Sequence, residues 1–570
     1  MKLTGAQIVV EALLEQKVDT VFGYPGGTIL NIYDALYDYS DRIHHILTAH
    51  EQGAAHAADG YARSTGKVGV CFATSGPGAT NLVTGIATAY MDSSPVVFIT
   101  CNVAENLIGK DSFQEVDITG ITMPITKCNY FVKDVTQLAD IIREAFAIAR
   151  SSRPGPVLID IVKNVTAETA EYEFLPMEVH AAHGRLAAMQ HRAAHNLNAP
   201  SINLDDINTL LKMIQKSERP LVLVGGGVIR SKGAVSEFRK FVETLGIPTA
   251  TTIMGGGALP GDHPLMTGMI GMHGSRASNL ATGECDLLIA IGCRFSDRVA
   301  TQPGVFAKQA KIVHIDIDRS EIDKNVRTDH HIIGDACRVL ALLNETLPEK
   351  DFSAWREQVF SHQGPAPQTC TAGNGPLQPH EILETIQKTD NNAIIATDVG
   401  QHQMWSAQYY HFSYPGQLIT SGGFGSMGFG MGAAMGAKLG NPDKLVVLCT
   451  GDGGFRMNCN ELCTVEHYNI PIIMVVFNNG SLGMVRQWQT LLYHKRYSQT
   501  TLDRGPDFQK LATAYGIDSA RVTTQQEFET AFQNAVAQGT PYLIECMIDC
   551  DKTVHPMVGA GSPVTDLLLD

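Results

Sequence analysis

The chain has 570 residues, of which 44% are apolar and 18% are charged, and its formal net charge at pH 7 is −15. One hydrophobic core cannot organise that length, so several domains are expected. The acidic balance argues against a nucleic-acid partner, and no apolar run reaches the roughly 20 residues that span a bilayer. Twelve scattered cysteines without a C-x-x-C pair, and a first segment without the apolar stretch of a signal peptide, favour a cytoplasmic protein.

Short apolar strands alternate with amphipathic helices in three long segments of the chain. This pattern is typical of parallel βαβ units, and it predicts an α/β protein with three doubly wound, mostly parallel sheets. The clearest strands lie, in chain order, at 68–74, 95–100, 220–227, 285–292, 311–318, 393–398, 444–452, 472–479 and 541–547. The predicted domains are 1–165, 200–345 and 378–555, with linkers at 166–199 and 346–377 and a tail at 556–570.

The first domain has Gly-rich turns and one glutamate that directly follows a predicted strand. The segment ILTAHEQGAAHAADGYAR (46–63) places Glu51 at the start of a helix. An acidic side chain is favoured there by the helix dipole alone, so this position by itself does not indicate function. FGYPGG (22–27) and TSGPGATN (74–81) are Gly-rich turns of the kind that bring backbone close to a ligand.

A Gly-rich turn also follows the first strand of the middle domain, where GGGVIR comes directly after LVLV. The turn is compatible with a dinucleotide, but it lacks the G-x-G-x-x-G spacing, so the spacing alone is weak evidence. His273 taken alone is more typical of a structural histidine than of a ligand contact.

The third domain contains GDGGFRMNCNELCTVEHYNIPIIMVVFNNGSLG (451–483), in which Asp452 follows one strand and Asn479 follows the next. A helix lies between them, and a right-handed crossover makes the two strands parallel, with both C-terminal ends on one edge. The carboxylate and the amide can therefore meet. Together with a backbone carbonyl they form an oxygen-only site that suits Mg²⁺, and the glycines beside Asp452 let a diphosphate approach the helix start.

These segments together resemble the thiamine diphosphate (ThDP) enzyme family. The resemblance implies that Asp452, Asn479 and the Ser481 carbonyl hold the metal. It also implies that Glu51 hydrogen-bonds the aminopyrimidine ring of ThDP as a partly buried acid/base, usually from a different domain and often from another subunit.

Within that family the chain is most similar to the acetohydroxyacid synthase catalytic subunits. SFQEVDITG (112–120), TDVGQHQMW (397–405), TSGGFGSMGFG (420–430), LGMVRQWQ (482–489) and GCRFSDRVA (292–300) carry this closer resemblance. It implies the following roles for residues near the reacting atoms: Gln114 and Lys163 near the substrate, Trp488 lining the pocket of the second substrate, Arg298 receiving its carboxylate, and Met427 wedging ThDP into a bent shape. For Arg298, an ion pair with Asp297 is the alternative.

The middle domain resembles the FAD-binding domain of the same family, in which the flavin has no net redox role. The residues that the resemblance implies for contacts with the two organic cofactors are Tyr24, Pro25, Gly26, Arg153, Gly225, Gly226, Thr252, Gly271, His273, Gly292, Arg294, Asp316, Asp335, Val399, Gly400, Gln401, His402, Gln403, Gly425, Met427, Gly451, Gly453, Gly454 and Met484. Ala104, Asn106, Val162 and Gly256 depart from the usual pattern and leave flavin affinity and inhibitor response open.

The implied reaction is an acetolactate synthesis, which opens branched-chain amino acid biosynthesis. Pyruvate is decarboxylated on ThDP, and the hydroxyethyl carbanion is transferred to a second pyruvate or to 2-oxobutyrate. A flavin-dependent pyruvate oxidase and a flavin-free catabolic acetolactate synthase are the alternatives. The resemblance also implies a homodimer or tetramer with shared sites. Whether a small regulatory subunit joins it is left open, as is the question of whether the tail covers the site.

Overall fold

The structure is a computed structural model that describes residues 1–175, 201–364 and 376–569. Within these residues it contains three six-stranded parallel sheets with helices between the strands. This arrangement confirms the predicted fold class. Among the described helices, none combines the length and the apolarity that crossing a bilayer requires.

The first sheet has the strand order β3-β2-β4-β5-β7-β6, and the flanking strands β1 and β8 pair antiparallel with each other. The strands of this domain are β1 (Lys2–Thr4), β2 (Thr20–Gly23), β3 (His44–Leu47), β4 (Gly69–Thr74), β5 (Val96–Asn102), β6 (Cys128–Val132), β7 (Val157–Val162) and β8 (Thr169–Glu171), of which β1 and β8 form a separate two-stranded sheet. The α-helices are Gly5–Glu15, Leu30–Asp38, Glu51–Thr65, Pro77–Asn81, Val83–Met91, Ile118–Thr122, Leu138–Arg150 and Lys163–Ala167, with 3₁₀ turns at Glu105–Leu107, Met123–Ile125 and Val135–Gln137.

The middle sheet has the order β11-β10-β9-β12-β13-β14. Its strands are β9 (Pro220–Val224), β10 (Thr249–Thr251), β11 (Met266–Met269), β12 (Leu287–Ile291), β13 (Lys311–Asp316) and β14 (His330–Ile333). The helices are Leu204–Lys216, Gly226–Arg230, Ala234–Leu245, Arg276–Glu284, Ala336–Asn344 and Ser353–Ser361, with 3₁₀ turns at Ile253–Gly255, Pro303–Val305 and Arg319–Glu321.

The third sheet has the order β16-β15-β17-β18-β20-β19. Its strands are β15 (Ile394–Thr397), β16 (Leu418–Ile419), β17 (Val446–Gly451), β18 (Ile472–Asn478), β19 (Asp518–Val522) and β20 (Tyr542–Met547). The helices are Pro379–Thr389, Gln401–Tyr409, Phe429–Gly440, Asp452–Asn458, Leu462–His467, Gly483–Leu492, Phe508–Ala514 and Gln525–Gln538, with a 3₁₀ turn at Cys459–Glu461.

Ordered elements occupy parts of the segments predicted as linkers and tail. Strand β8 follows residue 165 and pairs with β1, while 176–199 of the first linker lie outside the described residues. In the second linker, the helix Ser353–Ser361 packs on the middle domain, where the Trp355 indole donates to the Pro220 carbonyl at 2.8 Å. The tail forms β21 (Met557–Val558) and β22 (Leu567–Leu568) and is tied to the middle domain by the Val558 amide, which donates to the Met272 carbonyl.

The first and third domains pack through two helices made largely of small residues, Glu51–Thr65 and Phe429–Gly440. A side chain at Gly436 would place its first carbon 1.9 Å from the Ala57 carbonyl oxygen, and one at Gly60 would lie 2.2 Å from that of Ala433. The backbones approach so closely because glycine has no side chain at these positions. One continuous apolar core spans both domains at this contact.

Candidate functional site

The aspartate and asparagine of the third domain lie at one edge of its sheet. Strands β17 and β18 are parallel neighbours, and Gly451 pairs in register with Phe477. Asp452 begins a helix directly after β17, and Asn479 follows the end of β18. Both residues line one small pocket together with Ser481. The crossover geometry expected from the sequence therefore brings the two side chains to the same place.

The environment of the Asp452 carboxylate fits a bound cation. The residue is 1% exposed, its Oδ2 has no hydrogen-bond partner, and burial raises its pKa to about 6. The Asn479 side-chain oxygen accepts from the Ser481 amide at 3.1 Å, which turns the chain so that both residues face the same pocket. A buried, unpartnered carboxylate oxygen is costly unless a positive charge compensates it. The donor set, all oxygen, fits Mg²⁺.

Glycines and a neutral histidine form the wall beside Asp452. A side chain at Gly451 would lie 3.0 Å from the His402 ring, and one at Gly454 would lie 2.5 Å from an Asp398 carboxylate oxygen. His402 is buried, its Nε2 has no partner, and burial lowers its pKa to about 3. The wall thus brings backbone close to a helix start, which is the arrangement that favours a diphosphate.

A much larger cavity, of about 990 Å³, is lined by residues of all three domains. It is large enough for a dinucleotide. The predicted cofactor contacts that line it are Arg153, Gly226, Thr252, His273, Gly292, Arg294, Asp316, Asp335, Val399, Gly400, Gln403, Gly425, Met427 and Met484. The predicted contacts that line the small pocket are Val399, Gly400, Gln401, His402, Met427, Gly451, Gly453, Gly454 and Met484, so both spaces meet at Val399, Gly400, Met427 and Met484.

Two predicted contacts of the middle domain, Gly225 and Gly271, do not line the cavity. The Gly225 amide donates to the Ile291 carbonyl at 2.9 Å, so this residue supports the turn behind Gly226. Gly271 has a φ of 106°, and a side chain there would lie 2.1 Å from the Arg298 carbonyl oxygen. Both glycines shape the cavity wall from behind.

Burial shifts the pKa values of two titratable groups along the large cavity. Asp316, at the end of β13, has its pKa raised to about 7 by burial. His273 has its pKa lowered to about 4 by burial, with Arg298 and His555 acting in the same direction, and it is therefore neutral. Arg153 pairs with Asp318 at 3.0 Å and with Glu321 at 2.8 Å. Its guanidinium is held at the cavity edge by these two carboxylates.

The two residues predicted to receive the second substrate also line the large cavity. Trp488 lies on the helix Gly483–Leu492, close to Met484 in sequence. The Arg298 side chain is 63% exposed and makes an ion pair with Asp297 at 3.3 Å. Both the substrate contact and the ion pair considered for Arg298 are thus compatible with its position, since the side chain is accessible.

Six predicted residues of the first domain form a separate group. Glu51 begins its helix, is 8% exposed and accepts a hydrogen bond from the Asn81 side-chain Nδ2 at 2.9 Å. The other residues of this group lie at the C-terminal edge of the first sheet and are Tyr24, Pro25, Gly26, Gln114 and Lys163. Gly26 packs on Thr74, and Gln114 packs on Gly76. The Lys163 ammonium donates to the Gly27 carbonyl at 3.0 Å. None of the six lines either cavity of the same chain.

Sequence reasoning missed several polar residues of the large cavity, above all Asp92, Ser93 and Arg230. The Arg230 guanidinium donates to the Ser93 carbonyl at 2.9 Å, and burial lowers its pKa to about 10. Asp92 accepts from the Gly423 amide at 2.7 Å and pairs with Arg63 at 3.1 Å. These residues come from different domains and belong to no spaced motif, so only the three-dimensional arrangement reveals them.

Comparison with protein families defines the class of this fold and site. Three family models of thiamine pyrophosphate enzymes match: the N-terminal TPP binding domain at residues 3–121, the central domain at 207–343 and the C-terminal TPP binding domain at 398–546. The two TPP binding domains contain Glu51 and the Asp452 turn, respectively. The fold is therefore that of a thiamine pyrophosphate enzyme.

Comparison with individual proteins identifies the family within this class of enzymes. The chain is 46% identical to a probable acetolactate synthase large subunit of Methanocaldococcus jannaschii, over 99% of this chain and 95% of that protein. It is 44% identical to the acetolactate synthase large subunit of Lactococcus lactis, over 98% and 95% of the two chains, and 42% identical to that of Cyanidium caldarium, over 99% and 96%. The chain belongs to the acetolactate synthase large-subunit family.

Proposed function

We propose that the protein is an acetolactate synthase that joins two pyruvates into 2-acetolactate with release of CO₂. With 2-oxobutyrate as the second substrate, the product is 2-aceto-2-hydroxybutyrate. The observation that carries the proposal is the meeting of two spaces: the Asp452 and Asn479 pocket opens at Met427 and Met484 onto the cavity lined by Arg298 and Trp488. A cofactor held beside Asp452 and Asn479 would therefore face the pocket for the second substrate.

The proposed cofactors are ThDP, Mg²⁺ and FAD. Asp452, Asn479 and the Ser481 carbonyl would hold the metal, because the orphaned Asp452 oxygen needs a cation. Bound ThDP supplies an electron sink for decarboxylation of a 2-oxoacid. The large cavity would hold FAD, with Asp316, Arg294 and Asp335 among its contacts.

The chain's own residues would perform binding, orientation and proton transfer. Arg298 presents an accessible guanidinium that suits the carboxylate of the second 2-oxoacid. Trp488 supplies an apolar wall that keeps water from the reacting carbon. Glu51, placed at the start of a helix and held by Asn81, would exchange a proton with the aminopyrimidine ring.

The proposed assembly is at least a homodimer with shared sites. Support comes from the position of Glu51, which lines neither cavity of its own chain. Its proposed proton exchange with ThDP requires it to lie near a cofactor that is bound beside Asp452. A second copy that presents its Glu51 group would complete the site. Phe113, next to Gln114 in this group, is 87% exposed and would be covered by such a partner. Association with a small regulatory subunit and a cytoplasmic location complete the proposal.

The experiment that tests the proposal is acetolactate formation from pyruvate by the purified protein, with ThDP, Mg²⁺ and FAD omitted in turn. Product that depends on all three supports it. Pyruvate consumption without acetolactate would contradict the roles of Arg298 and Trp488. Oxygen uptake or flavin bleaching would instead indicate a pyruvate oxidase, and full activity without flavin would indicate a catabolic synthase.

A further inference from the structure

A buried glutamate of the third domain, Glu461, contacts the turn that leads into Glu51. Glu461 is 0% exposed and lies in the 3₁₀ turn Cys459–Glu461, nine positions after Asp452. Its Oε2 accepts from the Ala49 amide at 3.0 Å, and its Oε1 accepts from the His50 amide at 3.1 Å. These two amides immediately precede Glu51 in the chain.

The contact gives both oxygens of the Glu461 carboxylate a hydrogen-bond partner. The Thr464 hydroxyl donates to Oε2 at 2.7 Å, so the two oxygens accept three hydrogen bonds. Burial raises the Glu461 pKa, and the bonds from Ala49, Thr464 and His50 act against that rise. Removing such a buried acceptor leaves amide donors without partners, which is the costly half of losing a hydrogen bond.

The first domain makes room for this side chain. A side chain at Gly53, two residues after Glu51, would place its first carbon 2.0 Å from the Glu461 Oε1. Glycine at this helical position is therefore required by the approach of Glu461. Tyr468, from the same third-domain segment, accepts from the Leu47 amide at 3.0 Å and holds the preceding strand end.

We propose that Glu461 is a positioning residue for Glu51, a role that rests on the proposed function of Glu51 toward ThDP. The N-cap side chain, His50, satisfies only the Gln52 amide. The Ala49 and His50 amides are satisfied by Glu461, so the direction in which Glu51 leaves its turn is set by a carboxylate from another domain. A misplacement of about 1 Å in such a group costs up to ~100-fold in rate.

The experiment compares Glu461→Gln and Gly53→Ala with a matched control, Glu144→Gln. The glutamine keeps the shape of Glu461 but presents an NH₂ group to an amide donor. The alanine leaves Glu461 and Glu51 chemically intact and displaces the carboxylate by contact. Glu144 is likewise buried, with a pKa raised by burial, but it bonds Tyr130 away from the site.

Two readouts are measured on the protein with Mg²⁺ and ThDP: amide hydrogen exchange at residues 49–52, and deuterium exchange at the C2 carbon of bound ThDP. Both variants should speed amide exchange and slow C2 exchange by about tenfold or more, with kcat reduced and the KM for pyruvate little changed. Glu144→Gln should stay within about twofold on all of them.

Unchanged amide and C2 exchange in both variants would overturn the positioning role. If Glu461→Gln does not fold, Gly53→Ala alone decides between these outcomes. Failure of the proposed function looks different: the wild-type protein would then make no acetolactate from pyruvate, whereas the amide exchange of the variants would still report the contact.

Discussion

Flavin binding should depend on pH through Asp316. This carboxylate lies in the large cavity, its side chain is 10% exposed, and burial raises its pKa from 3.8 to about 7. The groups that face it are His314 at 3.8 Å, whose pKa burial lowers, Arg153, which lowers the Asp316 pKa, and Glu321, which raises it. The Asp318 backbone amide donates to Asp316 at 2.9 Å and lowers the Asp316 pKa, whereas the charge of the Asp318 carboxylate raises it. A ligand hydroxyl that donates to the charged carboxylate would relieve part of its desolvation.

The direction and the size of the expected pH effect follow from the linkage between protonation of Asp316 and the stability of the protein and of its FAD complex. An acid whose pKa is raised in the folded protein is neutral below its ordinary pKa, here 3.8, and its burial then costs no stability. As the pH rises from there to about 7, this group increasingly lowers the free energy of unfolding. Above that pH the ionised carboxylate costs at most about 4 kcal/mol, at about 1.4 kcal/mol per pKa unit. If bound FAD lowers the pKa by about one unit, the Kd should fall about fivefold between about pH 6 and pH 8.5.

The assay is equilibrium titration of the apoprotein with FAD, followed by flavin fluorescence, across that pH range. Asp316→Asn should bind more weakly at high pH and show a flat profile. Asp318→Asn is the control: although burial opposes it, bonds from Ser320 and the pair with Arg153 lower the Asp318 pKa, so that group stays ionised throughout. A Kd in the wild-type protein that rises with pH, or a slope that survives in Asp316→Asn, would refute the reasoning.

Three further predictions concern the catalytic half of the site. Glu51→Gln should abolish acetolactate formation while Mg²⁺-ThDP binding, measured by tryptophan fluorescence, persists; unimpaired turnover would remove Glu51 from the acid/base role. Asp452→Ala should weaken ThDP binding at least about tenfold and remove its Mg²⁺ dependence, and retained dependence in a calorimetric titration would place the metal elsewhere. Gln487→Leu should destabilise the protein by about 1–3 kcal/mol, because Gln487 bonds both the amide and the carbonyl of Val554 at 3.0 and 3.1 Å. The loosened Trp488 helix should then release more acetaldehyde relative to acetolactate, and an unchanged product ratio would speak against this link.

Local pattern was enough to predict the three sheets and the meeting of Asp452 and Asn479. Apolar strands alternating with helices allow few topologies, because crossovers are right-handed and neighbouring strands are parallel. Asp452 and Asn479 therefore had to meet at one sheet edge, and the structure places both in one pocket. The Gly-rich segments that resembled cofactor loops likewise follow strand ends, where ligands of such sheets lie.

Packing between domains was decided only in three dimensions. The sequence placed Glu51 after a strand but gave no distance to Asp452. In the structure Glu51 lines neither cavity of its own chain, and its position depends on how two small-residue helices meet. The same holds for Glu461, whose partners Ala49 and His50 are about 410 positions away in the chain. Motif spacing reports neighbours along the chain and across one sheet, whereas contacts between domains arise from the fit of whole surfaces.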